Sequence, residues 1–156
     1  MEKNLTTTEL LKVVIIGPEC SGKTTLASAL AEHYNTLWVP EYAREYIDKL
    51  NRPYRKQDLD EIAVRQVHNE EQMLKRKKNP IIFDTDLTVI KVWSEHKYGS
   101  VSDTILDLMR RRSYHIYILT GTEIPWEEDP QREHPDKREY FYKLYKSELN
   151  SKKASY

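Results

Sequence analysis

A glycine-rich segment near the start of the chain has the residue types and spacing needed to bind phosphate. Residues 17–24 read Gly-Pro-Glu-Cys-Ser-Gly-Lys-Thr, between an aliphatic run and an apolar helical pattern. The glycines let successive backbone N–H groups turn inward, and the start of the helix adds its positive dipole. Lys23 would reach the β- and γ-phosphates of a nucleotide, and the Thr24 hydroxyl would bind Mg²⁺. The predicted nucleotide site comprises Gly17, Pro18, Glu19, Cys20, Ser21, Gly22, Lys23, Thr24 and Thr25, with Cys20 interpreted as a small turn residue and not a redox group.

Two aspartates stand two residues apart at the end of another aliphatic run. Asp84 closes the run Ile81–Asp84, and Asp86 follows it. An acid at the end of a strand is the usual second protein group of a phosphate-bound Mg²⁺, directly or through water. We therefore predict that Thr24 and Asp84 hold the metal and that Asp84 takes part in catalysis. Asp86 is a candidate substrate ligand, and capping of the following helix is the alternative for both aspartates.

The segment 41–45, Glu-Tyr-Ala-Arg-Glu, is the predicted acceptor side. Glu41 and Arg44 are three residues apart and so share a helix face. Glu41 can accept the proton of a sugar hydroxyl or bond to it, which predicts a catalytic and substrate-binding residue. The alternative is an acid that complements the helix dipole. Tyr42, Arg44 and Gln66 complete the predicted substrate side, and a helix-edge glutamine is the alternative for Gln66.

Residues 121–135 form a long aperiodic stretch with three prolines, and we predict that they form a mobile lid. Arg132 is the predicted catalytic cation, because it can neutralise charge that develops on a transferred phosphoryl group. Arg138 is a weaker candidate, and an exposed surface charge is the alternative for Arg132. Trp126 is a predicted substrate contact, and His134 is interpreted as an ordinary loop residue.

The hydrophobic pattern predicts the elements that must bring these residues together. Strands are predicted at Lys12–Ile16, Thr36–Val39, Ile81–Asp84 and Tyr114–Leu119. Amphipathic helices are predicted at about 26–34, 41–50, 59–74, 87–98 and 102–112, with a last one capped by Asp136 and running to about Leu149. Strands that alternate with helices predict a mostly parallel sheet covered on both faces. Ligands of such sheets bind beyond the carboxyl ends of the strands, where the candidate residues lie.

Composition limits the class of protein. The chain has 156 residues, which predicts a single domain over 1–156, and its 25 basic and 25 acidic side chains give zero net charge. Zero net charge argues against a nucleic-acid partner. The lone cysteine excludes an internal disulfide, and neither a membrane-spanning run nor a signal-peptide core is present, so we expect a cytoplasmic protein without a membrane partner.

The remaining signals favour a small-molecule kinase among nucleotide-binding proteins. A guanine-reading Asn-Lys-x-Asp is absent, which disfavours a GTPase. Motor-type ATPases usually place a glutamate directly after the strand aspartate, and this chain has Thr85 there. The basic clusters Lys75–Lys78 and Arg110–Arg112 precede strands, so we interpret them as solvated helix ends at the opposite edge of the sheet.

Four motifs together resemble the nicotinamide riboside kinase family, the P-loop kinase domain of bacterial NAD-salvage proteins. They are GPECSGKTTL, EYAREY, FDTDL and IPWEEDPQREHPD, and the resemblance runs from about Lys12 to Leu149. It implies a P-loop fold with sheet order 2-3-1-4 and phosphorylation of nicotinamide riboside to nicotinamide mononucleotide, with ATP and Mg²⁺ as cofactors. It also implies that Glu41, Arg44, Asp84, Asp86, Trp126 and Arg132 carry over from the matching motifs of the family.

The chain departs from that family in three respects. The adenylyltransferase and DNA-binding segments of longer members are not in this sequence, and neither are the fifth strand and closing helix of the kinase domain. We therefore expect the fourth strand, 114–119, to be an open edge through which the chain can self-associate, or the chain to be part of a longer protein. A kinase of another nucleoside or small hydroxyl compound, and a P-loop ATPase or regulatory nucleotide-binding module, are the alternative functions.

Overall fold

The computed structural model describes residues 9–156, and these form four strands and six α-helices, with one or two helices after each strand. The strands are β1 (Lys12–Ile16), β2 (Trp38–Val39), β3 (Ile81–Asp84) and β4 (Ile116–Leu119). The helices are α1 (Lys23–His33), α2 (Tyr42–Lys49), α3 (Lys56–Leu74), α4 (Leu87–Tyr98), α5 (Asp103–Arg110) and α6 (Arg138–Ser151), and a 3₁₀ turn at Pro135–Lys137 precedes α6. The prediction of an α/β fold is confirmed.

The sheet has the predicted order, β2-β3-β1-β4, and every neighbouring pair of strands is parallel. β1 and β3 lie in the middle and are almost entirely buried, as expected of short β-branched runs. One face of the sheet packs against α4 and α6, and the other packs against α1. The fold is therefore three-layered, with the carboxyl ends of all four strands on one edge.

Two predicted strands begin too early. Thr36 was expected in β2, but its N–H donates to the carbonyl of Ala31 at 2.8 Å and so belongs to the turn that closes α1. Tyr114 was expected in β4, yet the ladder to β1 begins at Ile116. Just before this point the N–H of Lys12 donates to Nδ1 of the His115 ring at 3.0 Å, and not to a carbonyl of a neighbouring strand.

The predicted cap of the last helix is wrong. Asp136 lies inside the 3₁₀ turn, and α6 begins after Lys137 without a side-chain cap. The carboxylate of Glu139, which a capping box would direct back to the helix start, instead accepts a hydrogen bond from the Thr122 hydroxyl.

One residue of the basic clusters is not a solvated helix end. Arg112 is largely buried, with 13% of its side chain exposed, and its Nε lies 2.9 Å from a carboxylate oxygen of the fully buried Glu70. The Tyr114 hydroxyl donates to the same oxygen at 2.8 Å. The cluster therefore contributes an internal ion pair that ties α3 to the residues before β4.

The outer edge of β4 is partly occupied. The N–H of Tyr117 donates to the carbonyl of Ser155 at 2.8 Å, so residue 155 lies beside this strand, while Ile116 on the same strand is 40% exposed. Among residues 9–156, no helix combines the length and apolar character needed to cross a bilayer.

Candidate active site

The loop between β1 and α1 is curled and attached to the exit of β4. Gly17 passes so close to Thr120 that a Cβ at residue 17 would lie 2.0 Å from the Thr120 hydroxyl oxygen. Ser21 bonds to the Pro18 carbonyl at 2.7 Å and to the Thr120 hydroxyl at 2.6 Å. Gly22 has a φ of 79°, the left-handed conformation that starts α1. These contacts form the predicted phosphate-binding loop, and all of its predicted residues except Pro18 line one cavity.

The lysine and threonine of the loop face the end of β3. The Lys23 ammonium donates to the Pro18 carbonyl at 2.6 Å, and the Thr24 hydroxyl donates to Asp84 Oδ2 at 2.6 Å. Burial lowers the pKa of Lys23, an effect that the nearby Glu41 and Asp84 oppose. Burial raises the pKa of Asp84, an effect that Thr24 and Lys23 oppose. The structure thus brings together three residues that the sequence predicted for phosphate and metal.

The Thr24–Asp84 pair fits a magnesium ion bound to phosphate. Asp84 Oδ1 is buried and has no hydrogen-bond partner within residues 9–156. A buried carboxylate oxygen without a partner is costly, and a metal ion or its water shell would satisfy it. Groups of three or more candidate metal-ligating side chains do not occur in the described chain. Mg²⁺ on a nucleotide needs only one or two protein ligands, so the pair is sufficient.

Glu41 is the free carboxylate of the cavity. It lies at the start of α2, makes no capping bond there, and has no side-chain hydrogen bond within the described residues. Burial raises its pKa to about 7, while Lys23 acts in the opposite direction and Asp84 adds to the rise. A carboxylate with such a pKa is suited to accept a proton near neutral pH.

The far part of the cavity is apolar and aromatic. The whole cavity has a volume of about 340 Å³. Beyond the phosphate loop its lining includes Trp38, Ile47, Tyr54, Trp93 and Tyr145. The rings of Tyr54 and Trp93 have centroids 6.3 Å apart and are tilted by 39°. The sequence prediction missed these residues, because an apolar side chain has the same sequence pattern whether it lines a cavity or fills the core.

Four predicted substrate contacts lie outside this cavity. Asp86 caps α4, accepting from the Thr88 N–H at 3.0 Å, and also accepts from the Tyr117 hydroxyl at 2.7 Å. Thr85 has a φ of 66°, so the chain turns sharply and Asp84 and Asp86 face different surroundings. The capping alternative therefore describes Asp86, whereas Asp84 faces the phosphate loop.

The other three are also engaged elsewhere. Gln66 is buried, and its Oε1 accepts a hydrogen bond from the N–H of Tyr42 at 2.8 Å. It thus satisfies the first backbone N–H of α2 from the neighbouring helix α3. Tyr42 packs with Tyr46 in the cluster formed by α3, α4 and α5. The Trp126 indole N–H donates to Glu128 at 3.0 Å within the lid. None of the three lines the cavity, and the Nε2 of Gln66 is buried without a hydrogen-bond partner in the described residues.

Residues 121–135 lie over the loop, and Arg132 and Gln131 line the cavity. The segment also contacts α2, since Arg44 forms an ion pair of 2.9 Å with Asp129, and Gln131 Nε2 donates to the Arg44 carbonyl at 3.1 Å. Arg138 donates to the carbonyls of Ile124 and Cys20. The predicted lid is therefore in contact with both the phosphate side and the acceptor side.

Relatives of known structure share this fold. A crystal structure of NadR protein in complex with NR superposes with a TM-score of 0.77 at 20% identity, covering 91% of this chain and 43% of that chain. Thymidylate kinase from Ehrlichia chaffeensis superposes with a TM-score of 0.59 at 16% identity, covering 93% and 83%. At these identities the likeness shows the fold alone, a P-loop kinase-like α/β fold.

Curated relatives agree with the resemblance seen in the motifs. The chain is 28% identical over 126 residues to the trifunctional NAD biosynthesis/regulator protein NadR of Salmonella typhimurium, and equally to that of Escherichia coli. The match covers 77% of this chain but only 30% of each relative. The similarity to NadR is thus confirmed, over less than a third of those proteins. A family model described as an AAA domain matches residues 12–156, and the chain therefore belongs to that family.

Proposed function

We propose that this chain phosphorylates nicotinamide riboside with ATP and Mg²⁺ and so makes nicotinamide mononucleotide. The observation that carries the proposal is the position of Glu41. A carboxylate without a hydrogen bond in the described residues lines the same cavity as the phosphate-loop lysine Lys23 and the metal-site acid Asp84, and aliphatic and aromatic side chains line much of the remainder. A phosphoryl donor and a hydroxyl acceptor can therefore meet in one cavity.

The donor side uses charge and position. Lys23 and the backbone N–H groups of the loop bind the β- and γ-phosphates, and Thr24 and Asp84 hold the metal. Mg²⁺, when bound, neutralises charge on the phosphate oxygens. Arg132 lines the same cavity, where it can stabilise the charge of the transferred group. Phosphoryl transfer depends mainly on such positioning, which these residues supply.

The acceptor side orients a hydroxyl group. Glu41 accepts the hydrogen bond of the 5′-hydroxyl and takes its proton as the new P–O bond forms. The pKa of about 7 leaves a substantial fraction of the carboxylate ionised at neutral pH. Arg44 lines the same wall and can bond to the ribose, although in the absence of substrate its guanidinium is paired with Asp129.

The aromatic part of the cavity suits a flat, cationic ring. A planar ring in the cavity can pack against the rings of Tyr54 and Trp93, which both line it. A positively charged ring also gains cation–π attraction where it lies over an aromatic face. Nicotinamide riboside carries such a ring, and a NadR protein is known in complex with NR, which supports this choice of acceptor.

Two alternatives have support of their own. Structural likeness to thymidylate kinase favours a kinase of another nucleoside or nucleotide. The AAA-domain family description favours an ATPase or regulatory nucleotide-binding module without a small acceptor. The apolar and aromatic lining beyond the phosphate loop favours a kinase over the second alternative, since ATP hydrolysis needs no acceptor pocket.

An acceptor panel tests the proposal. ADP release from Mg²⁺-ATP is measured without acceptor and with nicotinamide riboside, adenosine, cytidine, thymidine and thymidylate. The proposal predicts stimulation by nicotinamide riboside above all others. Stimulation mainly by another nucleoside would assign a different acceptor, and equal release with and without every acceptor would favour the ATPase. A Lys23→Ala sample run in parallel identifies release by contaminating enzymes.

A further inference from the structure

Glu19 is a negatively charged side chain inside a loop whose ligand is itself an anion. Its carboxylate accepts hydrogen bonds from two consecutive backbone N–H groups of the lid. The N–H of Glu133 lies 3.2 Å from each oxygen, and that of His134 lies 3.1 Å from Oε2. A like charge beside the bound phosphates disfavours nucleotide binding, so an acid at this position has a cost. Hydrogen bonds to an ionised carboxylate are roughly twice as strong as neutral ones. The favourable interactions of Glu19 are therefore those with the backbone of the lid.

The two bonded amides directly follow Arg132. The Arg132 N–H is itself bonded to the Asp129 carbonyl at 3.0 Å, and its guanidinium contacts the Glu127 carbonyl. The backbone is thus held on both sides of Arg132, by the lid's own turn before it and by Glu19 after it. Arg132 lines the same cavity as Lys23, so the Glu19 contact holds the backbone directly beside a residue of the candidate site.

The neighbouring loop residue makes a second set of contacts with the same segment. The Cys20 thiol lies 3.4 Å from the Pro125 carbonyl, and the N–H of Glu127 lies 3.2 Å from its sulfur. Glu19 and Cys20 therefore hold the lid at two places, before and after the turn at Asp129. Both side chains are in the phosphate loop, so this loop and the lid are in direct contact.

We infer that Glu19 is a positioning residue for phosphoryl transfer, which acts through the backbone of residues 133–134 to place Arg132 over the phosphates. The inference rests on the proposed kinase function for its kinetic consequence only. The contact itself can be measured without any acceptor, so its failure is distinguishable from failure of the proposed function.

Amide hydrogen exchange followed by NMR tests the contact. In the parent protein the amides of residues 133 and 134 should exchange slowly, because both are hydrogen-bonded to Glu19. In Glu19→Ala they should exchange at least about tenfold faster, because their acceptor is gone. Glu19→Gln keeps one carbonyl oxygen and should lie between the two. Glu123→Gln is the matched control, since it removes a charge from an exposed lid residue that has no hydrogen bond in the described chain, and should leave both amides unchanged. Unchanged exchange in Glu19→Ala overturns the inference, whatever the acceptor panel shows.

Kinetics test the link to Arg132. Glu19→Ala should lower kcat by about 10–100-fold, as expected when a catalytic group is displaced by about an ångström, and should change the Kd for Mg²⁺-AMP-PNP by less than about threefold. In an Arg132→Ala background the same change should have almost no further effect on kcat, because both variants remove one function. Multiplicative losses in the double variant would show that Glu19 acts independently of Arg132 and would overturn the inference.

Discussion

Three carboxylates surround the phosphate-loop lysine, and their partners differ. Glu19 binds backbone N–H groups of the lid, and Asp84 binds the Thr24 hydroxyl. Glu41 alone among the three has no hydrogen bond within the described residues, and its pKa is raised to about 7. These partners support our proposal that Glu41, and not Asp84, accepts the substrate proton, a choice that the sequence left open.

The first prediction concerns Lys23. Among residues 9–156 its ammonium bonds to the Pro18 carbonyl alone, so Lys23→Ala should leave the fold intact. Loss of its charge from the transferred phosphate should lower kcat by roughly 10²–10³-fold or more. Circular dichroism and steady-state ADP release measure the two effects. Turnover within about tenfold of the parent would contradict the assignment of the phosphate loop.

The second prediction concerns Glu41 and pH. Because the carboxylate must be ionised to accept a proton, kcat/KM of the parent should fall as the pH drops below about 7. Glu41→Gln should lower kcat by about 10²–10⁴-fold and remove this limb of the profile, with little change in nucleotide affinity. A variant that keeps both the rate and the pH limb would transfer the role to Asp84 or leave the step without a protein base.

The third prediction concerns the stability of the fold. Ionisation of Glu41, which the reaction requires, should lower the stability of the folded protein. A carboxyl whose pKa is higher in the folded than in the unfolded protein loses its contribution to stability as the pH rises from about 4.5 to about 7. Glu41→Gln should therefore unfold at a higher temperature than the parent at pH 8, with a smaller difference at pH 5. A variant that melts lower at pH 8 would show that the ionised carboxylate has a partner.

At the scale of elements, the two strands in the middle of the sheet were predicted with their bounds, while several details around them were not. The runs at 12–16 and 81–84 are continuous and β-branched, so their pattern is unambiguous. Which way each aspartate after β3 faces depends on the positive φ of Thr85, a tertiary effect without a local signal. Tyr54, Trp93 and Tyr145 escaped prediction for a similar reason, since only the packing of separate elements brings them to one cavity.

The lid is the element whose movement we expect to matter. In the structure it already contacts both the phosphate loop and α2, through Glu19 and Arg44. Mg²⁺-AMP-PNP should increase the protection of residues 121–135 from hydrogen exchange, and Arg132→Ala should lower kcat by about 10²-fold while nucleotide affinity changes less. Equal protection with and without nucleotide, or a loss confined to affinity, would contradict this role.

At the scale of the whole molecule, the Glu70–Arg112 pair links the helical layer to the sheet. Burial raises the pKa of Glu70 to about 7, although Arg112 and Tyr114 oppose the rise. Arg112→Met should lower the free energy of unfolding by about 3–5 kcal/mol at pH 8, because it leaves a buried carboxylate without its cation. The loss should be smaller at pH 5, where Glu70 is protonated in the folded protein.

Arg110→Met provides the matched control for this prediction. Arg110 pairs with Asp107 on the surface, with 70% and 53% of the two side chains exposed, and such pairs contribute about 0–1 kcal/mol. Urea unfolding at the two pH values compares the variants. Equal losses of unfolding free energy in Arg110→Met and Arg112→Met would show that the buried pair contributes no more to stability than the surface pair.

Transfer of labelled phosphate to nicotinamide riboside tests the central claim most directly. The protein is incubated with [γ-³²P]ATP, Mg²⁺ and nicotinamide riboside, and the products are separated by chromatography. We expect the parent to form labelled nicotinamide mononucleotide. Glu41→Gln should form it at least about 10²-fold more slowly, and Lys23→Ala should form almost none. Label found only in inorganic phosphate, at the same rate with and without nicotinamide riboside, would contradict it.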